Sequence, residues 1–269
     1  MIPFKVKYSR AKSQFYAGSC GFATKQRILL SLWLLMLIYA CSNRKESNLP
    51  MLTPVEIYDI DIPETSDLCF GSSTSVLYTV SDNTAKVYKI STKGKILSEL
   101  KYTGNDLEGV TYVDNQYIYI AEERLREIVK LDLQGNQIGL KAIPVKINDA
   151  NNGLEGIAYA AFNQHFYIVN EMNPDLLIET DKNLNVLNSY TLSFANDYSG
   201  ICVDNVNQNL WIVSDMSATV NKCTMQGDVI ENYRIPVYNA EGIAFDPESN
   251  NIYVVSDAEA RLYLFNLNI

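Results

Sequence analysis

Five related segments recur along the chain, and no other feature of the sequence constrains its fold as tightly. "SDLCFGSSTSVLYTVSD" starts at Ser66, "EGVTYVDNQYIYIAEE" at Glu108, "EGIAYAAFNQHFYIVNE" at Glu155, "SGICVDNVNQNLWIVSD" at Ser199 and "EGIAFDPESNNIYVVSD" at Glu241. The starts are 42, 47, 44 and 42 residues apart. In four copies an acidic residue follows the start by sixteen positions, at Asp82, Glu171, Asp215 and Asp257. In the second copy a tighter turn puts Glu122, followed by Glu123, at fourteen. A period in the forties built from short strands is the signature of a β-propeller, with one four-stranded sheet per repeat. The runs "WIV", "FYIV" and "IYVV" are apolar at successive positions, as strands buried on both faces require.

After the acidic residue each copy offers a third strand, such as "REIVKLDL" at 126–133, "ATVNKCTM" at 218–225 and "ARLYLFNL" at 260–267. A turn and a fourth strand follow in the first four copies, whereas the fifth reaches Ile269 after its third. The strand-like "PVEIYDIDI" at 54–62 precedes the first copy and can supply the missing outer strand, leaving no raw edge. The expected fold is an all-β, five-bladed β-propeller over residues 53–269, with four-stranded blades and the last one closed by the N-terminal strand.

In such a blade the first two strands are antiparallel neighbours, so the start of one lies beside the end of the other. Ser66, Glu108, Glu155, Ser199 and Glu241 should therefore ring one mouth of the central channel. Asp82, Glu122 with Glu123, Glu171, Asp215 and Asp257 should form a second tier beside them. The Gly after each Glu lets the backbone pass close to its neighbour. Carboxylates gathered this closely repel one another by roughly 3 kcal/mol per pair at about 5 Å and an effective dielectric near 20. Protonation, a basic partner or a bound cation must relieve that. The Glu-Gly copies carry no Lys or Arg, although Arg124 and Arg261 fall near the second tier. Oxygen ligands without His or Cys favour a hard cation, and a loose carboxylate ring suits Ca²⁺ better than octahedral Mg²⁺. Glu108, Glu155 and Glu241 are the candidate ligands. For the second tier the plainer expectation is turn formation or capping of a neighbouring backbone.

The charge is unevenly divided. Six of the 22 Lys and Arg fall in residues 1–40, which hold no acid, leaving 16 against 31 acids and a formal −15 beyond. A body that acidic repels phosphate, and no nucleic acid partner is expected. The basic start runs into "ILLSLWLLMLIYA" at 28–40, too short to span a bilayer but the length of a signal-peptide core. It ends in "LIYAC", which resembles a bacterial lipobox. Residues 1–40 read as a lipoprotein signal peptide, Cys41 as the lipid acceptor and 41–52 as a tether linker. A lipid-anchored location in the bacterial cell envelope follows, on the outer membrane or periplasmic side, with the membrane as a partner through Cys41. Cys69, Cys202 and Cys223 lie in apolar runs and read as buried free thiols rather than a disulfide framework.

Four segments carry a family resemblance: "DLEGVTY" (106–112) with "AEERLREIVKLDL" (121–133), "GLEGIAYAAFNQHFYIVNEMNP" (153–174), "DYSGICVDNVNQNLWIVSD" (197–215) and "NAEGIAFDPESNNIYVVSDAEARLYLF" (239–265). Together they resemble the SdiA-regulated, YjiK-like proteins of bacterial envelopes over about residues 53–269. That resemblance implies a five-bladed propeller distantly related to NHL-repeat propellers, with a calcium site near the axis. It supports Glu108, Glu155 and Glu241 as metal ligands and adds Glu171 of "NEMNP". It departs at Asp215, where members can carry His. The family implies no established reaction.

Two functions are expected. The first is a lipid-tethered envelope module whose calcium orders the mouth for an unknown small ligand or protein. The alternative is a calcium-dependent lactone or phosphate-ester hydrolase like some NHL-type propellers, with Glu123 or Asp257 as general base. Ser199 and Glu122 complete the second-tier candidates. His165, the sole histidine, should open a strand at the end opposite the mouth, as a surface turn residue, which leaves no Ser-His-Asp triad.

Overall fold

Residues 49–145 and 152–268 are described in the computed structural model. The expected signal peptide, Cys41 and the linker up to residue 48 lie outside the described residues. Among the described residues no helix is long and apolar enough to cross a membrane.

Short runs of Val, Ile, Tyr and Phe, cut by Asn, Asp and Gly turns, form strands throughout. The chain opens with β1 (Glu56–Asp59). The first blade is β2 (Thr65–Phe70), β3 (Val76–Ser81), β4 (Lys86–Ser91) and β5 (Ile96–Thr103). The second is β6 (Leu107–Val113), β7 (Tyr117–Glu122), β8 (Glu127–Asp132) and β9 (Gln137–Ala142). The third is β10 (Leu154–Ala160), β11 (His165–Asn170), β12 (Leu176–Thr180) and β13 (Val186–Thr191). The fourth is β14 (Gly200–Asp204), β15 (Asn209–Ser214), β16 (Thr219–Cys223) and β17 (Val229–Arg234). The last holds β18 (Ala240–Asp246), β19 (Asn251–Ser256) and β20 (Arg261–Asn266). Its fourth strand is β1, antiparallel to β20 with Glu56 opposite Leu264 and Asp59 opposite Arg261. The fold is a five-bladed β-propeller closed by its N-terminal strand, as expected.

Closure goes one step further than the sequence indicates. Before β1, Leu52 N–H donates to the Arg234 carbonyl (2.9 Å), and Arg234 N–H donates to the Pro50 carbonyl (2.9 Å). The segment ahead of the closing strand thus also covers the outer edge of β17, and Leu52 packs into the core between the fourth and fifth blades.

There is no single core. Five apolar clusters lie between successive blades, each assembled from two neighbours. Between the first and second, for example, Val80 and Val87 meet Val110, Ile118, Ile120 and Val129. The second strand of each blade is buried along nearly its whole length, while β5, β9, β13 and β17 are largely exposed. At about 1.5–3 kcal/mol per fully buried aliphatic side chain, stability resides in the blade-to-blade contacts. Closing the ring therefore matters as much as forming any blade.

Candidate functional site

The first strand of each blade lines the channel, and in four of the five its opening residues are set by a local irregularity. The pairing register shifts between Thr65 and Asp67, Leu107 and Gly109, Leu154 and Gly156, and Ala240 and Ile243. The residues skipped include Ser66, Glu108, Glu155 and Glu241. A bulge leaves its extra residue unpaired and re-aims the side chain, here toward the axis. The glycine that follows is forced by crowding: a Cβ on Gly156 would stand 3.0 Å from Ile201 N, and one on Gly109 3.0 Å from Ile157 N.

A second element brings the next tier alongside. Asp82 N–H donates to the Glu64 carbonyl (3.2 Å), Glu123 N–H to that of Asp106 (3.0 Å), Glu171 N–H to that of Gly153 (3.0 Å) and Asp257 N–H to that of Asn239 (3.1 Å). In the fourth blade Asp215 N–H donates to Ser199 Oγ (3.2 Å). The residue just before each acid is a clamp. Ser81 Oγ–H donates to the Pro63 carbonyl (2.6 Å) and Ser256 Oγ–H to that of Tyr238 (2.5 Å), while Ser214 Oγ–H donates to Asp197 Oδ1. The same three hydroxyls accept the N–H of Thr84, Glu259 and Ser217. Each "Ser-Asp" pair is thus a turn clamp followed by a mouth-facing acid.

Glu108, Glu155, Glu171, Glu241, Ser199 and Asp257 all line one cavity of about 250 Å³ at the mouth, together with Ser66, Asp82 and Asp215. Glu123 stands beside Glu155 and Glu171. Glu122 does not join them. It occupies the clamp position of its blade, and its Oε1 accepts from Tyr102 Oη–H (2.7 Å) and Asn105 N–H (3.0 Å). Arg261 pairs with Asp59 and Glu259 rather than facing the cavity. His165 opens β11 as expected, but its Nδ1 lies 2.7 Å from Glu179 Oε1 in a half-buried pair. Cys69, Cys202 and Cys223 are free thiols. Sequence reasoning missed Glu64 and Asp197, which also line the cavity. Their signal lies two positions ahead of Ser66 and Ser199.

The electrostatics are strained in one direction. Burial, reinforced by neighbouring carboxylates, holds the pKa of Glu108 and Glu155 well above the usual carboxylate range. Burial and then Asp215 and Asp257 push Glu241 up to about 8. Burial raises Glu123 to about 7, although its Oε1 accepts the Gly153 N–H at 2.9 Å. Asp82, Asp215 and Asp257 are raised for the same reasons. Among the described residues no Lys or Arg forms an ion pair with Glu108, Glu123, Glu155 or Glu241.

Two trios bring one carboxylate oxygen of each member within 4.8 Å of the others: Asp82, Asp106 and Glu108, and Glu123, Glu155 and Glu171. Two oxygens on one Ca²⁺, each at about 2.3–2.6 Å, stand at most about 5 Å apart, so either spacing fits such an ion. The first trio already has compensation, because Arg124 Nε lies 3.0 Å from Asp106 Oδ2. The second includes the buried Glu155, whose carboxyl group its carboxylate neighbours push further toward the neutral form.

Fold and site together define a five-bladed β-propeller with a carboxylate-lined axial mouth. The chain belongs to the SdiA-regulated family, whose pattern it matches over residues 52–266. Among solved structures it resembles the glutaminyl cyclase of Myxococcus xanthus, with a TM-score of 0.65 and 12% identity over 80% of this chain and 96% of that one. It also matches a virginiamycin B lyase from Staphylococcus aureus, with a TM-score of 0.48 and 17% identity over 76% and 70% of the respective chains. At these identities the likeness to the cyclase is one of fold.

Proposed function

We propose that this protein is an exported, lipid-anchored envelope module. Its mouth holds Ca²⁺ and, so ordered, binds a small ligand or a partner protein. The observation that carries the metal reading is the trio Glu123, Glu155 and Glu171, with oxygens within 4.8 Å of one another where burial disfavours the charged form. Glu155 and Glu171 serve as ligands, Glu123 joins them, and Glu108 and Glu241 border the same cavity. Anchoring rests on the basic start, the thirteen-residue apolar run and Cys41.

Calcium titration of a fragment spanning 45–269 by calorimetry tests the metal reading. Saturable binding weakened tenfold or more by Glu155→Gln is expected. No binding at millimolar calcium would remove the metal from the proposal. Cys41→Ser tests the anchor: the variant should leave the membrane fraction for the soluble one, and unchanged fractionation would refute lipidation.

One observation favours a hydrolytic second reading. Glu123, whose pKa burial raises to about 7 in the metal-free chain, stands beside Glu155 and Glu171, where a carboxylate can serve as a general base. A bound calcium ion would polarise a lactone or phosphate ester and acidify its water. Glu123 would then accept the proton. Calcium-dependent ester hydrolysis that stays lost in Glu123→Gln at saturating calcium would select this reading.

A further inference from the structure

Four of the five repeats place Gly after the ring residue, at 109, 156, 200 and 242, while the first places Asp67 there. The Asp67 side chain is fully buried, below the mouth residue Ser66 and above Cys69. Cys69 lines a second cavity of about 200 Å³, built with Tyr112, Tyr159, Cys202 and Phe245. Asp67 Oδ1 accepts the Leu68 N–H (2.8 Å), and Oδ2 accepts the Val110 N–H from the second blade (2.8 Å). Burial favours the neutral form of this carboxyl group, and the nearby N–H groups of Ile157 and Ile243, from the third and fifth blades, act with those of Val110 and Leu68 in the opposite direction, favouring the carboxylate. Leu68, Val110, Ile157 and Ile243 occupy one position of the repeat, the residue after the Gly or its replacement.

The innermost strands of a propeller are sheet edges facing a narrow channel, and buried N–H groups there must find an acceptor. Four N–H groups converging on one point form a concave receptor for a carboxylate, comparable to the backbone nests that bind anions elsewhere. One side chain inserted from a single blade accepts hydrogen bonds from two blades and lies near the N–H groups of two more.

We propose that the propeller axis is a carboxylate-binding nest formed by the N–H groups of Leu68, Val110, Ile157 and Ile243, occupied by the chain's own Asp67. An exogenous small carboxylate would take that place when the side chain is removed. The nest ties four of the five inner strands at one level and separates the acidic mouth from the cavity beyond. It does not depend on whether the mouth binds a cation.

The test is thermal unfolding of the full-length chain in EDTA, with sodium formate as the probe and sodium chloride at equal ionic strength as the control. Asp67→Gly restores the residue found in the other repeats. It should lower Tm on the order of 10 °C, and formate, but not chloride, should restore part of the loss in a saturable way. The wild type should not respond to formate. Should Asp67→Gly fail to fold alone, its refolding yield with and without formate gives the same readout. Asp67→Asn keeps the nest filled but turns an NH2 toward an N–H donor. It should be less stable than the wild type and insensitive to formate. An Asp67→Gly protein that formate does not help, or an Asp67→Asn protein as stable as the wild type, would overturn the proposal.

Discussion

Without metal, the mouth should make the protein lose stability as pH rises toward 8, the reverse of ordinary acid denaturation. Glu241 is the clearest case. Its pKa moves from an ordinary 4.5 to about 8 in the folded chain, with burial as the main cause and Asp215 and Asp257 next. Between these two values the folded state binds the proton more tightly than the unfolded state, so unfolding releases protons and stability falls with rising pH. The stabilising contribution is full below about pH 4.5 and gone above about pH 8. At 1.36 kcal/mol per pKa unit the difference approaches about 5 kcal/mol for this residue. Neighbouring acids that share protons lower the realised value to roughly 2–5 kcal/mol. In a domain of this size that corresponds to a Tm drop on the order of 5–15 °C. Glu108 and Glu155 act in the same direction. Unfolding monitored in EDTA at pH 5 and pH 8, for the wild type and Glu241→Gln, measures it. The substitution should flatten the pH dependence and stabilise the protein at pH 8. Stability that rises from pH 5 to 8 in EDTA, or a Glu241→Gln protein no more stable at pH 8, would refute the reasoning.

Two further predictions concern the ring itself. Gly242→Ala would place a Cβ against the backbone of Asp67 and Leu68 in the first blade. Backbone cannot move aside as a flexible side chain does, so the variant should lose about 3 kcal/mol or more in urea unfolding, and a loss below about 1 kcal/mol would contradict the close approach. A fragment beginning at residue 60 lacks β1 and the pairing of Pro50 and Leu52 with Arg234. It should expose the β20 edge and self-associate on size exclusion with reduced Tm, whereas a monomer of unchanged Tm would mean that strand closure contributes little.

The repeat made the architecture readable because a blade needs a nearly constant length of chain, and the five starts keep to it. The ring glutamates were readable for the same reason, each heading its repeat. The second tier was harder, and Glu122 shows why. Counting from the repeat start assumes equal turns, but the second copy turns through Asp114 and Asn115, both at positive φ (52° and 56°), and so shortens its hairpin. The position is fixed instead by the end of the second strand. β7 ends at Glu122 as β3 ends at Ser81 and β19 at Ser256. Glu122 therefore corresponds to the clamping serines, and Glu123 to the mouth-facing acids.

Asp67 was illegible for a different physical reason. Within its own strand, an Asp in place of Gly looks like the drift of a degenerate copy. Its role arises when ring closure brings Val110, Ile157 and Ile243 from 43, 90 and 176 residues away to the same point on the axis. A local pattern can announce a residue that serves its own blade, as the clamping serines do. It cannot announce one whose partners are supplied by the other blades. The departure from glycine in a single repeat is thus the sequence trace of a contact that only the closed ring creates.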